Sequence, residues 1–249
     1  MKNIKYKLNL LKPIFKTSKS KIVFLGIILL NIYAISNMDF RMGYYEAVVD
    51  SISMQSYVSF LLLLVFLNTY NTYIQSEKNL PYIMRFETKE KYYRELIKLI
   101  IIMNTIIILS SFILSLIGIR LLNNYMVNIN YYYYDIPMYV YMIFNFIKIF
   151  ILIQLINFIG LFIYMITGKF IGIVVTTFIA LIPLIWDYKI HSINQFKDIY
   201  WFWGYYLLFL QYNNFIFEVS VTISFILLLF LICVGLFNVL ISKNRQVGI

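Results

Sequence analysis

Six stretches of this chain, at about 21–38, 57–75, 97–119, 138–167, 169–186 and 219–241, are apolar almost without interruption, and the shortest has 18 residues. A helix needs about 20 apolar residues to cross the hydrocarbon core of a bilayer. Hydrophobic residues make up 62% of the chain, where a soluble domain carries about 45–50%. No single water-excluding core needs that surplus, whereas lipid as solvent does. The 23 Tyr and 22 Phe suit the two membrane interfaces. The expected fold class is all-α: a polytopic membrane protein of six transmembrane helices, with residues 1–249 forming a single transmembrane domain. The fourth run is long for one crossing, so it tilts or begins in the outer interface.

The charges give that topology a direction. Sixteen Lys and Arg fall before the first run, between the second and third, between the fourth and fifth, or after the sixth. Only Arg41, Arg120, Lys189 and Lys197 fall on the other side, together with seven of the eleven acids. Basic residues in short loops stay cytoplasmic, so both termini are expected in the cytoplasm. The net charge of +10 is thereby accounted for as topology. A nucleic-acid face would need those residues gathered on a folded soluble surface, and no segment is long enough to build one.

The N-terminus has two readings. Basic residues followed by "IVFLGIILLNIY" and "AIS" resemble a secretory signal; an uncleaved first span is the preferred reading. Ile4, Leu8, Leu11 and Phe15 recur at helical spacing among Lys5, Lys7 and Lys12, so an amphipathic segment is expected on the inner leaflet, bent at Pro13. A solvated basic tail is the alternative.

Several kinds of chemistry are missing. No Asp or Glu lies deep within any of the six runs, which argues against proton or ion coupling. Lys148 alone sits inside a run; it either snorkels to the outer headgroups or faces a pathway. One Cys (Cys233) and one His (His191) cannot make a His/Cys metal cluster, so no metal site is expected. Gly160 and Gly168-Lys169 lack the spacing and the following Ser or Thr of a phosphate loop. The chain is not expected to be an enzyme by itself.

Small and polar residues mark helix faces. Gly168, Gly172, Thr176 and Ala180 are each four apart and suit close packing, within the subunit or across a dimer. Asn104, Ser111 and Ser115 on the third run, with Lys148 on the fourth, are the candidates for a substrate pathway; packing is the other reading of the three polar residues. Residues 187–218 include "IYWFWGYYLLFLQYNNF", too interrupted to cross and suited to a re-entrant or interfacial outer element. "NYYYYD" at 130–135 reads as interfacial belt.

The least lipid-like segment is "LPYIMRFETKEKYYRELIK", residues 80–98, in which eight of the fourteen residues from Arg85 to Lys98 are charged. Thr88 can cap a helix there, and Glu87–Lys91 and Glu90–Arg94 are favourably ordered i,i+4 pairs. A plain cytoplasmic hairpin needs far fewer residues and no exposed aromatics, so a docking surface explains the length better.

Six runs in about 250 residues, a basic amphipathic start, this charged segment and an aromatic outer element together resemble the type-2 ATP-binding-cassette (ABC) exporter permeases, of the small peptide and bacteriocin group. Arg85, Phe86, Thr88, Lys89, Lys91 and Tyr92 fit a stretch that recurs in small permeases of that group, whereas Glu87 and Glu90 depart from it. The resemblance implies that Arg85, Phe86, Glu87, Thr88, Lys89, Glu90, Lys91, Tyr92 and Tyr93 form a coupling helix between spans 2 and 3. That helix would dock on a separate ATPase, in an assembly of two permease subunits, identical or paralogous, and two ATPases. ATP and magnesium would then bind the partner, with no cofactor in this chain. The implied setting is a bacterial plasma membrane and the implied cargo a peptide or other amphipathic substrate. A substrate-capturing importer subunit and a non-transporting immunity or sensor protein are the rival readings.

Overall fold

The computed structural model describes residues 17–37, 43–77, 88–122, 132–133, 136–190 and 215–246. Thr17 starts α1 (Ser18–Ser36) by accepting the Ser20 N–H at 3.2 Å, which satisfies one of the unpaired donors at a helix start. A short helix α2 (Tyr44–Ser53) leads through Met54 into α3 (Gln55–Glu77). Helix α4 (Lys89–Leu122) is followed by a pair of two-residue strands, β1 (Tyr132–Tyr133) and β2 (Ile136–Pro137), which pair antiparallel. Helices α5 (Met138–Thr167), α6 (Lys169–Ile190) and α7 (Phe215–Gln246) complete the order.

The long helices alternate in direction. One end of the bundle gathers Thr17 and Asn71, Ser76 and Tyr92, and Ile166 and Lys243, each pair joined by a hydrogen bond. Lys19, Lys89, Lys91, Arg94 and Lys98 belong to this basic end. The opposite end brings Tyr44 to the Leu116 carbonyl and Tyr141 to Glu218.

Five helices are long and apolar enough to cross a membrane: α1, α3, α4, α5 and α7. Large apolar side chains stay exposed on them, among them Leu29, Ile113, Leu227 and Leu231. Such faces are unfavourable in water and favourable in lipid. The expected fifth span of 169–186 is helical within α6, but its continuous apolar stretch among the described residues is Phe170–Leu181. The six expected crossings thus correspond to five clear candidates and this shorter one.

Helix α5 is the hub, packing against α2, α3, α4, α6 and α7. Burial covers 61% of its apolar window against 17% for α7, so α7 lies at the rim with most of its surface toward the surroundings. Gly168 joins α5 to α6 at φ +105°, a left-handed conformation that a side chain would strain. This one-residue joint folds α6 straight back onto α5.

Helix ends differ from the apolar boundaries. At 34 residues, α4 is about 50 Å long at 1.5 Å per residue, well beyond a hydrocarbon core of about 30 Å. It begins at Lys89 rather than near residue 97, so the charged residues 89–98 are its first turns, continuous with the span. The helix expected to start at the Thr88 cap thus runs on into the third span without a break; Arg85, Phe86 and Glu87 lie outside the described residues. So do the amphipathic segment 4–15 and most of the outer element 187–218.

Candidate functional site

The sequence places Lys148 eleven residues into α5, about 15 Å along its axis from the helix start. Helix α7 begins at Phe215, four residues before the apolar run, and so carries Glu218 in its first turn. The two meet: Lys148 Nζ lies 2.8 Å from Glu218 Oε1, and each side chain is only 1% exposed. Tyr141, two turns before Lys148 on α5, places its hydroxyl 3.4 Å from both Glu218 oxygens. The Phe144 ring lies 5.3 Å from Lys148 Nζ and packs edge-on against Phe215 at 5.2 Å. Two aromatic rings and a tyrosine thus wall off one buried ion pair between α5 and α7.

Each part of that arrangement has a physical reason. A bare charge in this setting costs several kcal/mol, roughly, and is tolerated only when paired and hydrogen-bonded. Glu218 sits in the first turn of α7, where the helix dipole favours a carboxylate by about 0.3–1 kcal/mol. The phenyl face of Phe144 offers the ammonium a further electrostatic partner.

One expectation is corrected here: Lys148 does not snorkel to the headgroups, because its ammonium is buried and paired. No Asp or Glu lies deep within the six runs, as expected, but Glu218, just ahead of the sixth, is buried to 1% in the first turn of α7. The sequence carried a usable signal: a lysine inside an apolar run requires a counter-charge, and Glu218 sits next to a run boundary.

The other pathway candidates form interhelical networks. Asn31 on α1 donates to Ser111 at 3.0 Å and accepts from Ser115 at 2.6 Å, while Tyr57 on α3 pairs with Ser111 at 2.7 Å. One turn pair further along, Asn68 donates to Asn104 at 3.0 Å, and Asn104 donates to Thr69 at 2.8 Å. Asn104, Ser111 and Ser115 are fully buried. In lipid, such bonds fasten helices, each contributing about 0.6 kcal/mol on average. This is the helix-packing reading of the three residues.

The small-residue stripe is used within the subunit. A methyl added at Gly172 would run into the Tyr164 backbone, and one at Gly160 would strike the Thr176 side chain. Thr176 and Ala180 are fully buried, and Thr176 donates to the Gly172 carbonyl at 2.9 Å. Gly172, Thr176 and Ala180 therefore let α6 lie directly on α5, while Gly168 is the joint.

At the basic end, Thr88 Oγ1 accepts the Lys91 N–H at 3.3 Å. Arg94 bonds Glu90 at 2.7 Å, and Lys98 bonds Glu95 at 2.6 Å, both exposed. Thr88, Lys89 and Lys91 face outward. Tyr92 turns into the bundle, 7% exposed, with its hydroxyl 3.1 Å from Ser76 on α3. Tyr93 is half-buried and packs on Tyr92 with ring centroids 5.4 Å apart. Of the described candidates for ATPase docking, Tyr92 is thus occupied with holding α4 to α3. Among the described residues no group of three or more His, Cys, Asp or Glu could hold a metal ion.

Comparison with protein-family models, with curated proteins and with solved structures gives no match.

Proposed function

We propose that the chain is the membrane-spanning permease subunit of an ATP-driven ABC exporter that moves amphipathic peptides, for export or self-immunity. In this reading α6 is a sixth crossing, the basic end faces the cytoplasm, and a second permease and two ATPases complete the assembly. The observation that carries it is α4. Its charged first turns run unbroken into a membrane helix and are tied to α3 by the Tyr92–Ser76 bond. A push on Lys89, Lys91 or Arg94 would therefore be transmitted along a rigid rod to the polar networks around Asn104 and Ser111.

The test is copurification with the products of the neighbouring genes, followed by ATPase activity and peptide transport in vesicles. Lys89→Glu/Lys91→Glu should abolish stimulated transport while leaving thermal stability unchanged, because both side chains are exposed. Transport that persists in that variant, or a chain that purifies with no ATPase, refutes the reading. A second reading, a non-transporting immunity protein, draws on the paired interior. The polar side chains at the centre of α1, α3 and α4 bond to one another. It predicts protection from the peptide without any ATPase.

A further inference from the structure

Between α4, α5 and α7 lies a groove of about 410 Å³, with Ile101, Phe230 and Val234 exposed along it. Ile97 and Ile101 form its α4 wall, Phe230 and Phe237 its α7 wall, and its floor on α5 runs from Phe150 to Phe162. The lining is apolar, since Gln154 is buried with its Oε1 on Asn104 Nδ2 at 3.5 Å. The rise from Phe150 to Phe162 is about 18 Å at about 1.5 Å per residue. One leaflet's share of the hydrocarbon core is about 15 Å. Phe150 lies near the middle of α5 and Phe162 near its end at Thr167. The groove therefore occupies one leaflet, the one that borders the basic end.

Cations stand at that end of it. Arg94 precedes Ile97 by just under a turn, and the spacing of 94, 97 and 101 keeps the three on one face of α4. Lys98 flanks the same mouth, and its stem leans toward the helix start, away from the core. Their side chains are 65% and 59% exposed. On the far side, Lys243 of α7 bonds the Ile166 carbonyl at 2.6 Å, one turn past Phe162 on the floor. Glu90 and Glu95 pair with Arg94 and Lys98, but exposed pairs of this kind are weak. Residues 89–98 still carry four cations against those two acids, and α5 and α7 bring no Asp or Glu to this end.

We infer that the groove seats one acyl chain of an anionic phospholipid, whose phosphate meets Arg94 and Lys98, with Lys243 across the mouth. Length, polarity and charge agree on this occupant. An acyl chain needs no hydrogen bonds, and the lining offers none. A peptide backbone at this depth would have to be helical to satisfy its own polar groups. A helix, about 10–12 Å across, needs several times the space available; the same holds for a helix of a second copy. The inference stands apart from the exporter reading, since the lipid binds this chain without an ATPase and either can fail alone.

The full chain, purified in detergent, is titrated with phosphatidylglycerol and with phosphatidylcholine of identical acyl chains, and bound lipid is counted by native mass spectrometry. Phosphatidylglycerol should fill one site in preference to phosphatidylcholine, by about fivefold for each cation engaged, the worth of one Lys or Arg at an anionic lipid surface. Arg94→Gln/Lys98→Gln should remove that preference while unfolding without lipid stays near wild type, because both side chains are exposed. Lys19→Gln/Lys21→Gln takes two charges from the same end but from α1, which does not line the groove, and should keep the preference. Val234→Trp, which fills the groove and leaves the cations, should weaken both lipids. Equal binding of the two lipids would overturn the proposal. So would a loss in the Lys19/Lys21 variant as large as in the Arg94/Lys98 one, which would mark the diffuse charge of the whole end, or competition by glycerol phosphate, the headgroup without its chains. Displacement of the lipid by a hydrophobic peptide, or disulfide-linked dimers of a Cys233→Ser/Val234→Cys variant in membranes, would overturn it in favour of cargo or a second copy.

Discussion

Removing the carboxylate of Glu218 tests the buried pair most directly. In Glu218→Gln the ammonium of Lys148 keeps its burial, at 1% side-chain exposure, and loses its counter-charge at 2.8 Å. At an effective dielectric of about 20, that attraction is about 6 kcal/mol by Coulomb's law, part of which offsets the desolvation of both ions. Breaking such a pair from one side typically costs about 3–5 kcal/mol. At this chain length each kcal/mol moves the unfolding midpoint by about 2–4 °C, so a fall of roughly 10 °C is expected. Lys148→Met should cost less, because the carboxyl left behind keeps Tyr141 and the start of α7 as partners and can take up a proton. The double variant Lys148→Met/Glu218→Gln removes both ions and should recover most of the loss, since replacing a buried pair by uncharged groups is often neutral. The assay is thermal unfolding of all four proteins in one detergent near neutral pH. A Glu218→Gln midpoint within about two degrees of wild type, or a double variant no better than the worse single, would refute the energetic argument.

Other substitutions probe the packing. Gly172→Leu forces α6 off the Tyr164 backbone and should destabilise by about 1–3 kcal/mol, the usual range for overpacking; Gly235→Leu, where nothing lies within 4 Å, is the control that should be silent in the same unfolding assay. Asn104→Ala strands Asn68 and Thr69 together and should cost more than one average interhelical bond of about 0.6 kcal/mol. Ser110→Ala, whose hydroxyl bonds only its own helix at Ile106, should be nearly neutral beside it. Tyr92→Phe removes the hydroxyl that bonds Ser76 and should lower stability slightly, whereas Tyr92→Ala also empties a buried site and should lower it by several kcal/mol, about the cost of Phe→Ala in a core; equal effects would mean that the ring contributes no packing.

The apolar runs made α1, α3, α4, α5 and α7 legible, because a bilayer leaves few alternatives to a continuous helix. Their ends were legible only where a cap stood in the sequence, as at Thr88, for a reason these helices show. Hydrophobicity marks where lipid is, while backbone hydrogen bonding and caps decide where a helix stops. The helix α4 therefore starts eight residues before its apolar run, at the Thr88 cap, and α7 starts four residues early. Helix α2 was missed, although its buried Ala47, Val48, Ser51 and Ile52 have one-sided helical spacing. The networks around Asn104 and Ser111 were legible as residues but not as partners. A sequence shows that a polar group must be satisfied, and only the packing of α1, α3, α4 and α5 shows by what.

The ion pair also bears on where energy enters. A carboxylate that ferries a proton must lose and regain its counter-ion in each cycle. Glu218 is held by Lys148, by the Tyr141 hydroxyl and by the start of its own helix, beneath Phe144 and Phe215. Protonating it would leave the ammonium uncompensated, at the same several-kcal/mol cost, roughly, that Glu218→Gln exposes. Such a site is better suited to fixing α7 against α5 than to cycling. Helix α7 is tied to α5 along its length: by the Lys148–Glu218 pair at one end, by Cys233 on the Leu155 carbonyl midway, and by Lys243 on the Ile166 carbonyl at the other end.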